Sequence, residues 1–508
     1  MEFSLNNATP FPAITAHRGD SSRFRENTIT AIESAIENGA DFVEIDIRQS
    51  KDGEVIVLHD RSLERLWGYP IDAFELTLLE IESLGFADYR IPTLKQIVNL
   101  FHDSSSRLLI DMDTADHALA AYKVVANSGI SHSQIMWCGD LSAMKIIREQ
   151  SAEAEIWLPW NETAMVDEAL VAEIKPTFVN SHFSFWSADK VQKVHALGIK
   201  AAAWTIDDAP TMRWAAAIGI DSITTNQLDL IKKISKEDAF LDELDIKRIT
   251  ELALSIGQWA IMVCQMMSPG VIETKSNPAD LVTEVDLFIE THAREMIQAN
   301  FPTHNIVGEE FGGNCSETKP TWYIDPVDGT TNFANRTPWS SLSLSLAVGR
   351  DPLVGVTIDP WRNKLFHAIK GAGAFVNGER IIAPTFDESD SPLAGRVVLT
   401  ELAGSEPWLG MSEFVDQLNQ SFCTMRIMGA GTLTLTAVSA NYGVGAVVHQ
   451  FSPIDHLAAA LIAHEAGCIV LNQKGEEELF PDVGGVMIVQ PHARDALFEI
   501  WRSSFVQQ

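Results

Sequence analysis

Residues 13–60 read AITAHRGDSSRFRENTITAIESAIENGADFVEIDIRQSKDGEVIVLHD, and this stretch decides the fold of the first half of the chain. It holds three short apolar runs, 13–16, 42–47 and 55–58, each a strand candidate that ends in polar residues. A helical stretch, 28–38, lies between the first two, as a parallel return requires. Outward from there, strand candidates at 107–110, 134–137, 155–158, 177–179, 200–204 and 222–224 alternate with amphipathic stretches such as 187–197. About eight strand–helix units in about 215 residues is the rhythm of a closed (β/α)8 TIM barrel. An open doubly wound sheet is the alternative, and the strand count disfavours it.

Barrel enzymes place their chemistry at the C-terminal ends of the strands. Here the first strand ends in His17-Arg18-Gly19, and period-two alternation puts Glu44 and Asp46 on one face of the second. The third ends in His59-Asp60, the fourth in Asp111 and a late one in Trp204. Clustered carboxylate oxygens suit a hard cation, so Glu44, Asp46 and Asp111 are candidate ligands for Mg2+ or Ca2+. His17 and His59 are candidate general acid and base on a phosphoester, and Arg18 suits a phosphate oxygen. Taken singly, a strand-end histidine or a Glu-x-Asp is more often structural. Their joint placement on successive strand ends is what points to a site. Asn27 is read as the cap of the helix that starts at Thr28, and Trp204 equally well as a core aromatic.

The whole chain has 508 residues, 46% hydrophobic and 21% charged, which implies more than one domain with cores of ordinary size. No run approaches the roughly 18 consecutive apolar residues of a membrane span, and the N-terminus lacks the basic and apolar segments of a secretory signal. Five cysteines without a Cys-x-x-Cys pair fit reduced thiols in a cytoplasmic protein. With 37 basic against 69 acidic side chains the formal net charge is −32, which repels nucleic acid and anionic membrane alike. Any anionic small substrate then needs local neutralisation, as by a bound metal.

The Lys-, Glu- and Asp-rich segment 231–247 marks a boundary, giving domains over 1–235 and 236–508. Beyond it a long helix is expected over 246–267, followed by strands at 341–348, 353–358 and 396–400. Asp325 and Asp328 flank a proline break after an apolar segment, and Gly329 and Thr330 follow where a helix start could offer N–H groups to a phosphate. Carboxylates beside such a cradle are what a multi-metal phosphatase needs. Asp455 precedes an amphipathic helix over 457–466, and alone it reads as an N-cap.

The first-half blocks His17-Arg18-Gly19, Glu26-Asn27-Thr28, Gly39-Ala40-Asp41, Glu44-Ile45-Asp46, Lys51-Asp52-Gly53 and His59-Asp60 resemble the glycerophosphodiester phosphodiesterase family. Ile91-Pro92-Thr93-Leu94 and Ala203-Trp204-Thr205 resemble its later blocks. The resemblance implies a metal-dependent barrel that cleaves glycerophosphodiesters, with His17 and His59 as the catalytic pair. Where that family usually shows Glu-x-Lys, this chain has Asp111-Met112-Asp113, which removes a positive charge expected on phosphate. The short segment after His59 leaves room for only a small substrate cap.

The second half resembles the inositol monophosphatase family through Asp280-Leu281-Val282-Thr283 with Asp286, Gly308-Glu309-Glu310, the run 322–333, Gly431-Thr432 and Glu465-Ala466-Gly467. That resemblance implies a layered αβαβα fold, Mg2+ dependence, lithium sensitivity and a homodimer through this domain. It implies metal ligation by Glu309, Asp325, Asp328, Asp455 and the Val327 carbonyl, and a water oriented by Asp286 and Thr330. Gly329, Thr330, Gly431 and Thr432 would contact substrate. Ile454 stands where a tryptophan is usual, and Val447-Val448-His449 where inositol-specific members carry an acid, so the specificity pocket departs from the family.

A diesterase joined to a monoesterase implies consecutive reactions on small-molecule phosphoesters. Glycerophosphoinositol would be cut to a monoester, and the monoester, inositol phosphate or glycerol phosphate, would then lose phosphate. The alternative is a Mg2+-dependent sugar or polyol phosphate monoesterase whose barrel is a non-catalytic binding or regulatory module.

Overall fold

A computed structural model describes residues 11–506, apart from 87–88, 238–243, 276–280, 385–390 and 403–405. Asp280, part of a motif singled out above, lies outside the described residues. The chain divides into two units, Met1–Ala239 and Phe240–Gln508.

The first unit contains β1 (Ala13–His17), β2 (Phe42–Gln49), β3 (Val55–Val57), β4 (Arg107–Met112), β5 (Ile135–Gly139), β6 (Glu155–Pro159), β7 (Phe178–His182), β8 (Lys200–Trp204) and β9 (Ser222–Thr225). All but β3 pair in parallel, and β1 bonds both β2 and β9, so eight strands close into the expected barrel. β3 corrects the expectation that His59 ends a barrel strand. It runs antiparallel to the far end of β2, with Ile47 opposite Val57 and Gln49 opposite Val55. The connection through Lys51-Asp52-Gly53, with Gly53 at φ 83, is a hairpin turn too short for a parallel crossover.

Inside the barrel, period-two alternation sorts side chains by height. Phe42, Trp157 and Phe178 meet as an aromatic plug, with Trp157 and Phe178 ring centroids 4.3 Å apart. Further along the same strand faces come Glu44 and Asp46, Asp111, Cys138, Asn180 and Trp204, all of which line one cavity. The register sets Asp46 beside Asp111 and Asp111 beside Cys138. The apolar layer seals the barrel and the polar layer above it lines the cavity.

The second unit opens with helix Ile246–Met266, which is long and apolar enough to cross a membrane by length and composition. It serves as a core helix, with Ile249, Leu252, Ile256 and Ala260 buried. A hairpin of β10 (Ile272–Thr274) and β11 (Leu281–Thr283) leads to helix Glu284–Asn300. Then β12 (Asn305–Gly308), β13 (Pro320–Asp328), β14 (Ser341–Val348), β15 (Asp351–Asp359), β16 (Lys364–Ile369), β17 (Gly373–Val376) and β18 (Glu379–Ile381) form one sheet in sequence order. A second sheet, of β19 (Val397–Thr400), β20 (Thr424–Ile427), β21 (Gly445–Val448), β22 (Ile469–Asn472) and β23 (Val486–Val489), has the order β20-β19-β21-β23-β22.

Two neighbouring residues of β15 locate the helices on the first sheet. A Cβ on Gly355 would meet the backbone of Ala458 at 3.0 Å, whereas Val356 reaches the opposite side to within 3.0 Å of where a Gly257 Cβ would stand. Successive strand residues point to opposite faces, so helices Ile246–Met266 and Pro453–Glu465 cover the two sides of the sheet. Helix Pro453–Glu465 is buried along Leu457–Ala463 on every face, because helix Gly431–Ser439 covers the side away from the sheet. The helix is therefore not amphipathic as expected, since small alanines pack equally well on both sides.

Candidate active sites

The barrel cavity has a volume of about 400 Å³. His17 ends β1, and its Nδ1 lies 2.8 Å from Asn226 Oδ1. Asn226 spends its own amide on Asp207, which turns Oδ1 toward the ring. His17 Nδ1 therefore carries the proton, and Nε2 faces Glu44 Oε2 at 4.0 Å. Burial, then the Arg18 charge, lowers the His17 pKa, so the ring is neutral near pH 7. His59 sits just past β3, where its Nδ1 donates to Asp60 Oδ1 at 2.6 Å. A hydrogen bond from Arg65 holds Asp60 down at about 2, so this partner stays ionised and fixes the His59 tautomer.

Glu44 and Asp46 are 5% and 8% exposed. Burial, then Asp46 and Asp111, pushes Glu44 well above the usual carboxylate range. Burial, then Asp46, raises Asp111 to about 7, and Cys138 Sγ donates to Asp111 at 3.5 Å. Carboxylates that raise one another are short of positive charge, and a hard divalent cation supplies it. Arg18 lines the cavity with two of its nitrogens engaged: its Nη1 pairs with Glu26 at 2.9 Å and its Nε with Asp46 at 3.1 Å. Trp204 lines the cavity at the end of β8, edge-on to His182 with centroids 5.3 Å apart, so it is not a core aromatic.

Asn27 is not the helix cap expected. Thr28 is the N-cap of helix Ile29–Glu37, accepting from the Ala31 amide. Asn27, at φ 59, donates Nδ2 to Asp46 Oδ2 at 2.8 Å and accepts the Asp46 amide at 3.2 Å.

In the second unit, Asp325, Val327 and Asp328 end β13, where its pairing with β14 slips between Asp325 and Asp328. The proline break is thus a bulge within a continuing strand, and a bulge re-aims side chains. Burial, then Glu309, Asp328 and Asp455, pushes Asp325 well above its ordinary range. Burial and Asp455 do the same to Asp328, and burial and Glu309 raise Asp455 to about 7. These four carboxylates share one neighbourhood, and their oxygen-only chemistry fits divalent metal. Asp455 is not an N-cap: Ser452 holds that position in helix Pro453–Glu465, and Asp455 sits in the first turn.

Among the described residues, no three His, Cys, Asp or Glu side chains are already drawn into a coordination shell. Other groups hold the carboxylates. Asp328 accepts the amides of Gly431 at 3.2 Å and Thr432 at 2.5 Å, so two residues expected to contact substrate are bonded to a candidate metal ligand. They open helix Gly431–Ser439, whose dipole favours an anion there. Glu309 Oε1 takes Lys275 Nζ at 2.9 Å, and Lys275 also reaches Glu310 at 2.6 Å. Thr330 Oγ1 lies 3.1 Å from Asp286 Oδ1 and 2.9 Å from the Val327 carbonyl, so the expected water-orienting pair is in direct contact. Gly329, at φ 84, precedes the short helix Thr330–Ala334.

Sequence reasoning missed Lys275, Glu290 and Glu401. Glu290 lies one turn beyond Asp286 on helix Glu284–Asn300 and accepts the Glu310 and Phe311 amides, fixing the loop that carries Glu309. Its (i, i+4) spacing from Asp286 was the available signal. Glu401 accepts the Gly429 amide at 2.7 Å and the Thr434 hydroxyl, bracing the turn that delivers Gly431 and Thr432.

The sequence matches the model of the Inositol monophosphatase family over residues 244–503 and that of the Glycerophosphoryl diester phosphodiesterase family over residues 17–230. It is 34% identical over 207 residues to inositol monophosphatase 2 of Solanum lycopersicum, covering 39% of this chain and 77% of that protein. It is 32% identical over 235 residues to human inositol monophosphatase 2, covering 44% of this chain and 79% of that one. Identity to inositol-1-monophosphatase of Bacillus subtilis is 29% over 267 residues, covering 51% and 95%. The barrel match begins at His17 and the phosphatase match takes in Asp286 through Asp455. The chain therefore belongs, by residues 244–503, to the inositol monophosphatase family, and it carries a glycerophosphoryl diester phosphodiesterase domain ahead of them.

Proposed function

We propose that the chain is a bifunctional hydrolase that cleaves a glycerophosphodiester, glycerophosphoinositol in the first instance, and then dephosphorylates the monoester. Water and diester give an alcohol and a monoester, and a second water gives a second alcohol and inorganic phosphate. The observation that carries this reading is the same in both halves: buried carboxylates that raise one another's pKa beside groups able to move a proton.

In the barrel, neutral His17 accepts a proton at Nε2, and His59, with Nδ1 held by ionised Asp60, delivers one from Nε2 to the leaving alcohol. Asn27 keeps Asp46 in place throughout. In the phosphatase half, Asp286 and Thr330 orient the attacking water, and the amides of Gly431 and Thr432 fix Asp328. Mg2+ on Glu309, Asp325, Asp328, Asp455 and the Val327 carbonyl, and Mg2+ or Ca2+ on Glu44, Asp46 and Asp111, would neutralise phosphate and acidify bound water.

The test is phosphorus NMR of Asp328→Asn with glycerophosphoinositol, Mg2+ and Ca2+. Loss of one ligand should stop the second step, so a monoester signal accumulates, and its coupling pattern identifies the bond cut. If neither this variant nor the unaltered protein consumes the diester, the barrel does not perform this reaction and the non-catalytic module is the better account.

A further inference from the structure

Arg48 stands two residues beyond Asp46 on β2, so Glu44, Asp46 and Arg48 project to one side of the strand. All three line the barrel cavity. Arg48 is tied to backbone through its guanidinium: Nη1 donates to the Ile47 carbonyl at 3.2 Å and Nη2 to the carbonyl of His59. Its remaining partner is Asp113, with Nη1 and Oδ2 2.6 Å apart. Nε is buried and makes no hydrogen bond.

The two arginines of this cavity are held differently. Arg18 pairs with Glu26 and Asp46, whose side chains are 16% and 12% exposed. Arg48 is 19% exposed, while the Asp113 side chain facing it is 51% exposed. An ion pair with a half-exposed carboxylate is weak, because water competes for both partners. Asp113 also has a second partner to fall back on, since His117 Nδ1 lies 2.6 Å from Oδ1. A phosphodiester monoanion offers two oxygens that match the guanidinium fork better than one carboxylate oxygen does.

We propose that Arg48 binds the phosphate of the barrel's substrate and that Asp113 is its exchangeable counter-ion, displaced when the phosphoryl oxygens arrive. The anchors on Ile47 and His59 hold the guanidinium while Asp113 lets go. The bond to the His59 carbonyl also ties the phosphate-binding group to the residue that delivers the proton. Asp113 then acts as an internal competitor whose strength sets how much substrate is needed. This rests on reading the barrel as a phosphodiester site, and the experiment separates the two.

Binding of dimethyl phosphate, a diester that resists hydrolysis, is followed by phosphorus line broadening at saturating Mg2+. Hydrolysis of bis(4-nitrophenyl) phosphate is followed in parallel. Arg48→Gln should weaken dimethyl phosphate binding and raise KM by about tenfold or more, the worth of a charge-assisted hydrogen bond, with a smaller change in kcat. Arg48→Lys should recover part of the loss, because charge returns without the fork. Asp113→Asn should tighten binding and lower KM, the opposite of what a structural support would do. Unchanged binding in Arg48→Gln, weaker binding in Asp113→Asn, or no binding to the unaltered protein overturns the proposal. Arg48-dependent binding without any diester hydrolysis leaves the proposal standing and removes the diesterase reading.

Discussion

Asp46 is gripped twice by Asn27, through its carboxylate and through its own amide. Groups that orient a metal ligand are worth about 10–100-fold in metal affinity or activity. Asn27→Gly keeps the positive φ and removes the amide, so diester hydrolysis should need about tenfold more Mg2+ or Ca2+ while monoester hydrolysis keeps its metal midpoint. An unshifted midpoint would reduce Asn27 to a turn residue. His292 offers a test of a different kind. It is stacked on Trp259 at 3.8 Å, and burial lowers it from 6.5 to about 3. Between those values the unfolded chain holds more protons than the folded one, so stability falls as pH drops. From pH 6.5 to about 5 the loss is about 2 kcal/mol. His292→Phe keeps the stack and should flatten the acid limb of Tm against pH, and an unaltered limb would place the sensitivity elsewhere. At this scale the sequence exposes residues within compact motifs, such as His17, Glu44 and Asp325. It hides those whose partners are remote, as Asn226 is from His17 by 209 positions.

Gly139 shows what an element demands of one residue. It ends β5 at φ 121, and a Cβ there would meet the Met112 carbonyl oxygen at 1.9 Å. Gly139→Ala must push β4 and β5 apart next to the Asp111–Cys138 register, so it should cost more than about 2 kcal/mol and loosen metal binding. Urea unfolding of the barrel, read beside the metal midpoint, checks both, and a stable variant with normal metal affinity would contradict it. The barrel strands were legible because apolar runs recur with helical spacers, and all eight fall near the expected positions. The run 55–58 was legible as a strand too, but its direction was not, because period two says nothing about direction and only the short turn at Gly53 does. Helix Pro453–Glu465 misled for a related reason: alanine fits either a core or a half-exposed face, so its burial depends on what lies opposite.

Across the whole molecule the formal charge is −32, and both proposed substrates are anions. Like charges slow approach, and salt screens them over about 10 Å at 0.1 M. kcat/KM for monoester and diester should therefore rise, about several-fold, between low salt and 0.15 M at saturating metal. A fall with salt would mean that local positive fields at the sites outweigh the global charge. The two-domain plan could be read from the charged segment near residue 240, whereas the oligomeric state leaves no comparable mark in the sequence.

Lys275 gives the phosphatase half a cation of its own, shared between Glu309 and Glu310. Burial works against its charge, yet the two carboxylates win and hold its pKa above the ordinary lysine value. A counter-ion attached to the backbone cannot be dialysed away. Stripping the domain with a chelator should thus leave part of the negative cluster compensated and the fold intact, which Tm measured with and without chelator would check. In a cell whose free Mg2+ rises and falls, the enzyme would wait rather than decay.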